Sequence, residues 1–124
     1  TPHIAGYSAE GKWNATKMSL ENLNNYFKLE VEPRYQSIPP PREPLVRLES
    51  IAPEQQLAHA VWHTYDPASE TEALKASPGQ FYHFRSHYPP RREYHAYTIC
   101  QGDASISAIL NKLGFSVNVS SDRI

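Results

Sequence analysis

The sequence predicts an α+β fold, with a small mixed sheet of about three strands and flanking helices, preceded by one long helix. Three observations lead to this prediction. The first 28 residues carry a helical pattern of apolar side chains, a proline-rich stretch follows, and the end of the chain alternates strand, helix and strand patterns. The 124 residues are enough for one domain of ordinary size, so we expect a single core.

The long helix is predicted to begin near Ser8 and to end near Phe27. Ser8 is a preferred N-cap residue, and Glu10 places a negative charge in the first turn, where the helix dipole favours it. Apolar residues then recur at spacings of seven, three and four, which puts them on one face of a helix. These residues are Trp13, Leu20, Leu23 and Phe27.

A proline-rich linker is predicted at residues 29–44. Residues 30–44 contain five of the chain's 11 prolines and show no apolar periodicity, so this stretch should run extended and partly as a polyproline helix. The linker divides the chain into a first segment, residues 1–28, and a main domain, residues 45–124.

The main domain is predicted to contain three strands and several short helices. Pro53 stands at a favoured first position of a helix, and Asp103 and Gly114 are the predicted N-cap and terminator of the last helix. The predicted strands are residues 45–49, 94–100 and 115–119. The predicted helices are residues 54–65, 66–75, 81–88 and 103–113.

Charge and cysteine content exclude several classes of protein. Lys and Arg number 12 and Asp and Glu 13, a net charge of -1, which argues against a dedicated binder of nucleic acid. Cys100 is the single cysteine, so no internal disulfide can form, and we expect a reducing, cytoplasmic setting. No apolar run approaches the length of about 18 residues that suggests a membrane span.

The first segment contains the residues best suited to chemistry. It reads Thr-Pro-His-Ile-Ala-Gly-Tyr-Ser and continues into Ala-Glu-Gly-Lys. His3 can exchange a proton near neutral pH, and Gly6 lets the backbone approach a flat ligand closely. These residues alone leave two interpretations open: a catalytic histidine, or a histidine that makes local hydrogen bonds.

The string Thr-Pro-His-Ile-Ala-Gly followed by a helix resembles the end of the nucleotide-binding domain in the D-2-hydroxyacid dehydrogenases. The fuller string to Lys12, with Pro-Arg-Arg-Glu at 90–93 and Lys-Leu-Gly-Phe at 112–115, is similar to a member of that family that has an additional C-terminal dimerisation domain. That member oxidises a phosphorylated hydroxy acid with NAD on the route to pyridoxal 5'-phosphate. The resemblance implies that residues 1–28 end the nucleotide-binding domain and that residues 45–124 form a homodimer.

The resemblance assigns roles to three residues. His3 matches the catalytic histidine that accepts or donates the proton of the C2 hydroxyl, Gly6 matches a backbone contact to the cofactor, and Tyr7 matches a substrate contact. The glycine-rich dinucleotide fingerprint, the arginine for the substrate carboxylate and the acidic partner of the histidine belong to the part of such enzymes that precedes this segment. We therefore expect the 124-residue chain alone to bind no NAD and to be inactive.

Arg91 and Arg92 are candidate substrate ligands. They follow two prolines and precede Glu93, and arginine suits bidentate binding of a phosphate group. In one interpretation, one of them reaches an active site, in its own subunit or across a dimer, and binds the substrate phosphate. In the alternative, which the sequence favours, the pair is exposed and bridged to Glu93 or to a neighbouring subunit.

Two further patterns favour structural roles. His59 with His63 and His83 with His87 have the spacing of zinc ligands on a helix, but they lack the glutamate and third ligand of a zinc site, so we predict no metal. The ring-rich stretch 81–97 suits a protein interface or single-stranded nucleic acid, and the net charge favours the interface. The rival to a dehydrogenase is a stand-alone binding module whose first motif matches by chance.

Overall fold

The computed structural model of the protein describes residues 1–34 and 37–118. Short one-turn 3-10 helices at Pro67–Glu70, Pro78–Gln80 and Tyr94–Ala96 join the longer elements. Those longer elements, in chain order, are α1 (Ala9–Phe27), β1 (Leu45–Arg47), α2 (Pro53–Thr64), α3 (Thr71–Ala76), α4 (Phe81–Ser86), β2 (Thr98–Cys100), α5 (Ala104–Leu113) and β3 (Ser116–Val117).

The strands form one parallel sheet in the order β1-β2-β3. Val46 pairs with Ile99, and Ile99 pairs with Val117. The predicted α+β class with three strands is confirmed, whereas the prediction of a mixed sheet is wrong. The strands run parallel because helices connect them: α2 to α4 lie between β1 and β2 in the chain, and α5 lies between β2 and β3.

The strands are shorter than the sequence pattern predicts. β2 begins only at Thr98, because Tyr94–Ala96 form a 3-10 turn in which the Ala96 N–H donates to the Glu93 carbonyl at 3.0 Å. β3 consists of Ser116–Val117. Its predicted end at Val119 lies outside the described residues.

The core lies between the sheet and the helices α2 and α5. Each fully buried Leu, Ile or Phe side chain contributes roughly 1.5–3 kcal/mol to folding, so a short list of residues accounts for much of the stability. Tyr94 extends this core by stacking on Phe115, with ring centroids 4.6 Å apart. The buried apolar residues of the core are Val46, Leu48, Ala60, Tyr97, Ile99, Leu110 and Phe115.

One buried polar side chain, that of Gln56, joins three parts of this domain. Its amide nitrogen donates to the carbonyls of Leu48 (3.2 Å) and Ile51 (3.0 Å), and its amide oxygen accepts the N–H of Asp103 (2.8 Å). Gln56 therefore fixes the chain after β1 and the start of α5 relative to α2, and all of its bonds are made inside the fold, where an unpaired amide would be costly.

Helix α5 begins and ends where the sequence predicts. The Asp103 carboxylate accepts the N–H groups of Ser105 and Ile106, and hydrogen bonds from Ser105 lower the pKa of this carboxyl group. Gly114 ends the helix with a φ of 110°, a conformation that other residues rarely adopt. Within the described ranges, neither α5 nor any other helix is long and apolar enough to cross a membrane.

Helix α1 also has its predicted bounds, but much of its apolar face is exposed. The Ser8 hydroxyl accepts the N–H of Gly11 at 2.9 Å, and Lys28, with a φ of 55°, ends the helix. Leu23 and Phe27 are 49% and 59% exposed, and Glu10 is the one buried residue of the helix. The first turn is therefore the part of α1 that is most firmly attached to the rest of the chain.

Candidate active site

The first eight residues form a loop in which buried and exposed residues alternate. Pro2 and Ile4 are buried, whereas His3 between them is exposed. The N–H of Tyr7 donates to the Ile4 carbonyl at 3.0 Å and closes a turn that includes Gly6. Buried Pro2 and Ile4, together with the turn, thus fix this stretch of backbone, and the His3 side chain between them is exposed to solvent.

Two residues of this loop have left-handed backbone conformations. His3 has a φ of 60° and Gly6 a φ of 72°. This conformation is uncommon for a residue with a side chain, and residues held in it are concentrated at functional sites. At Gly6 no described atom lies within 4 Å of the place where a Cβ would stand, so the backbone is open to a ligand there.

Two basic side chains lie against the ring of Tyr7. The Lys12 ammonium lies 4.3 Å from the centre of the Tyr7 ring and the Arg85 guanidinium 5.5 Å from it. The ring of Tyr88 meets the Tyr7 ring edge to face, with centroids 6.4 Å apart. The structure therefore collects positive charge around the phenol that the sequence predicts to contact substrate.

Arg85 also contacts the backbone of the predicted catalytic residue. Its Nε donates to the His3 carbonyl oxygen at 3.4 Å. We call the group His3, Gly6, Tyr7, Lys12 and Arg85 the loop site. The three residues predicted from the motif are neighbours in the chain, and the structure adds Lys12 from α1 and Arg85 from α4 to them.

Arg91 and Arg92 lie beside the loop but are engaged elsewhere. The Ala9 N–H donates to the Arg91 carbonyl at 2.8 Å, while the Arg91 guanidinium lies 4.5 Å above the ring of Tyr65. Arg92 pairs with Glu10 and its side chain is only 13% exposed, so the expectation of an exposed pair bridged to Glu93 is wrong for Arg92, while a bridge to a neighbouring subunit stays a prediction. Whether Arg91 or Arg92 contacts substrate stays a prediction.

The partner of Arg92 is Glu10, which lies 82 positions earlier in the chain. Arg92 Nε is 2.5 Å from Glu10 Oε1, and the two side chains are only 13% and 11% exposed. Arg92 also donates to the backbone carbonyl oxygens of Ile38 (3.4 Å) and Pro39. This arginine therefore joins α1, the proline-rich linker and the segment before β2.

The environment of Glu10 favours its charged form. Burial by itself raises the pKa of this carboxyl group, but the hydrogen bond from Arg92 and those from backbone N–H groups outweigh it, and the pKa lies below its ordinary value of 4.5. The Glu93 N–H donates to Glu10 Oε2 at 3.1 Å, and His95 Nε2 lies 3.4 Å from Oε1. The charge of Glu10 is thus compensated on both oxygens.

Two cavities adjoin Tyr88, and one of them reaches the loop at Pro2. The first, of about 340 Å³, is lined by Tyr65, Glu70, Tyr88 and Arg91 among others. The second, of about 450 Å³, lies between Pro2 and the helices α3 and α4, and it shares Glu70 and Tyr88 with the first. The Tyr88 hydroxyl donates to Glu70, and burial together with this carboxylate raises the pKa of Tyr88. The Tyr88 phenol therefore stays neutral and donates its hydroxyl hydrogen to Glu70.

The histidine pairs make ordinary side-chain contacts. His63 Nε2 is 2.9 Å from the Glu43 carbonyl oxygen, and the rings of His83 and His87 stack with centroids 4.2 Å apart. In residues 1–34 and 37–118, no three His, Cys, Asp or Glu side chains come together in an arrangement that could hold a metal ion.

A protein-family model described as "Domain of unknown function (DUF3410)" matches residues 37–114, which is more than half of the chain. The chain belongs to this family. The matched residues include β1, β2 and the helices α2 to α5, and they supply Arg85 of the loop site and Arg92 of the ion pair.

The chain is also similar to proteins named erythronate-4-phosphate dehydrogenase. It is 48% identical to the one from Bacteroides fragilis over 99 residues, which are 80% of this chain and 26% of that protein. It is 38% identical to the one from Porphyromonas gingivalis over 117 residues, 93% of this chain and 31% of that protein. For Edwardsiella ictaluri the identity is 33% over 123 residues, 96% of this chain and 33% of that protein.

The chain thus spans between a quarter and a third of the length of these curated relatives. The predicted resemblance to the C-terminal part of a dehydrogenase is confirmed by these matches. Sequence reasoning missed Lys12 and Arg85 as residues of the loop site. Lys12 is part of the motif at residues 1–12, so the sequence could have suggested it. Arg85 comes into contact with His3 only when the chain is folded.

The lowered pKa of Glu10 predicts that acid weakens the attachment of the loop. A carboxyl group with a lowered pKa contributes stability that is fully present above its unfolded value, near 4.5, and is lost as the pH falls through its lower folded value. We expect Glu10→Gln to reduce the free energy of unfolding by about 1–3 kcal/mol at pH 7, and the difference from wild type to shrink below about pH 4.5.

Urea unfolding followed by tryptophan fluorescence, repeated between pH 7 and pH 3, measures this difference. Glu21→Gln is the matched control, because Glu21 lies on the same helix in an exposed pair with Lys17 and should show almost no difference at any pH. A Glu10→Gln effect of constant size down to pH 3 would contradict the assignment.

Proposed function

We propose that this chain is a C-terminal part of an NAD-dependent dehydrogenase that oxidises 4-phospho-D-erythronate to the corresponding 2-oxo acid, on the route to pyridoxal 5'-phosphate. The observation that carries the proposal is the exposed His3, held in a left-handed conformation between buried Pro2 and Ile4. The names of the relatives support the substrate, and the motif around His3 supports the reaction type.

In this mechanism His3 moves the proton. The imidazole accepts the proton of the C2 hydroxyl as the hydrogen on C2 leaves as hydride, and a positioned general base of this kind accelerates such a step by roughly 10²–10⁴-fold. The backbone of the loop supports this role, because buried Pro2 and Ile4 flank His3 and fix the chain on both sides of it. Tyr7 would position the substrate with its hydroxyl group.

NAD would accept the hydride, and the residues at Gly6 fit a flat cofactor. The backbone at Gly6 is open, since no described atom approaches the place of a Cβ. A glycine-rich dinucleotide fingerprint is not contained in the 124 residues, so the rest of the cofactor site would come from other parts of the enzyme. For this reason we propose that the chain alone is inactive.

The remaining assignments follow the same proposal. Residues 1–28 would complete the nucleotide-binding domain, residues 29–44 would be the linker, and residues 45–124 would form the interface of a homodimer. Large apolar side chains at the surface support an interface: Trp62 is 65% exposed and Tyr82 75%. The single cysteine supports a cytoplasmic location.

The catalytic role of His3 predicts a selective loss of turnover. In the full-length enzyme, His3→Asn should lower kcat by about 10²–10⁴-fold with little change in KM, because the proton acceptor is removed while substrate contacts remain. The measurement is the rate of NADH formation with 4-phospho-D-erythronate. His59→Asn, an exposed histidine on α2, is the control and should keep its activity. Wild-type turnover in His3→Asn would rule out the assignment.

The proposed dimer interface predicts a change in mass. Light scattering of the full-length enzyme at micromolar concentration should give twice the mass of one chain, and a variant that ends after residue 44 should give the mass of one chain. A full-length monomer, or a truncated variant that remains dimeric, would show that residues 45–124 do not form the interface.

A further inference from the structure

Two basic side chains of the loop site have no carboxylate partner. In the described part of the chain, the ion pairs join Lys17 to Glu21, Lys75 to Glu72, and both Arg92 and His95 to Glu10. Lys12 and Arg85 are in none of these pairs. Their positive charges therefore stand uncompensated around Tyr7, next to His3.

The contacts of Arg85 position its guanidinium without neutralising it. Its Nε donates to the His3 carbonyl oxygen at 3.4 Å, and its planar group lies 5.5 Å from the Tyr7 ring centre. A guanidinium has several further N–H donors in a rigid fork, which matches the oxygens of a phosphate group. Lys12 adds a compact positive charge on the same tyrosine.

Arg92 differs from this pair in how its charge is used, whereas Arg91 lies on a tyrosine ring as Lys12 and Arg85 do. The Arg92 guanidinium is bound to a buried carboxylate and to two backbone carbonyls, and that of Arg91 lies above the Tyr65 ring. Moving Arg92 to a substrate would separate the buried Glu10 carboxylate from its arginine, which opposes such a move. Lys12 and Arg85 require no such loss.

We infer that Lys12 and Arg85 bind the phosphate group of the substrate, with the Tyr7 hydroxyl as a third ligand. This inference rests on the proposed function and names the residues that make the enzyme specific for a phosphorylated acid. Two cations match a group that carries about −1.5 to −2 charges at neutral pH. The site is shared between α1 in the first segment and α4 in the main domain, so the substrate phosphate would bridge the two parts.

The test compares two substrates in the full-length enzyme, 4-phospho-D-erythronate and unphosphorylated D-erythronate. Arg85→Gln and Lys12→Gln should each raise KM for the phosphorylated substrate about ten- to hundredfold, since each removes a charge-assisted contact. With D-erythronate, the loss in kcat/KM should be at least about tenfold smaller than with the phosphorylated substrate, because D-erythronate has no phosphate contact to lose. Arg85→Lys should recover part of the loss, because it keeps the charge without the fork.

Lys17→Gln is the matched control, an exposed lysine further along α1 that is paired with Glu21. It should leave both substrates unaffected. The inference fails if Arg85→Gln and Lys12→Gln retain the wild-type preference for the phosphorylated substrate while the enzyme remains active. In that case the proposed function still stands.

Calorimetric titration with inorganic phosphate tests the phosphate site independently of the proposed function. If the wild-type enzyme oxidised neither substrate, the proposed function would be wrong. The phosphate site at Lys12 and Arg85 would still be tested by the titration. Weaker phosphate binding in both variants than in Lys17→Gln would support the site, and equal binding in all of them would reject it.

Discussion

The ion pair between Glu10 and Arg92 is the contact on which the candidate site depends. It joins the first turn of α1 to the segment before β2, and Arg92 holds the proline-rich linker through the carbonyls of Ile38 and Pro39. Because both side chains are largely buried, loss of one partner leaves the other charge without its ion pair, at a cost of about 1–3 kcal/mol. Three stretches that are distant in the sequence are thereby fixed at one point.

The position of the loop follows from this attachment. Glu10 lies one turn after the loop, so fixing its carboxylate fixes the helix start from which His3 and Tyr7 are presented. Most of α1 beyond that turn is exposed, and the core of the domain is confined to the sheet with α2 and α5. A few polar contacts, together with buried Pro2 and Ile4, therefore hold the loop against Arg85.

Local features were predictable and distant pairings were not. The caps at Ser8 and Asp103 and the terminator Gly114 depend on neighbouring residues, so the bounds of α1 and α5 agreed with prediction. The mixed sheet was predicted wrongly, although the helices predicted between the strands already favoured parallel pairing. The contact of Arg85 with His3 spans 82 positions, and no periodicity in a sequence reports such a pairing. The motif identified His3, Gly6 and Tyr7, whereas the surrounding charges became visible only in the fold.

A double-mutant cycle on the ion pair tests this view most directly. Glu10→Gln, Arg92→Met and the combined variant are made in the full-length protein, and the free energy of unfolding is measured by urea titration for each. We predict that the two losses are strongly non-additive, with a coupling energy of about 1–3 kcal/mol, because each single variant takes the ion-pair partner from a largely buried charge. Losses that add to within about 0.5 kcal/mol would show that the pair does not hold the loop to the domain.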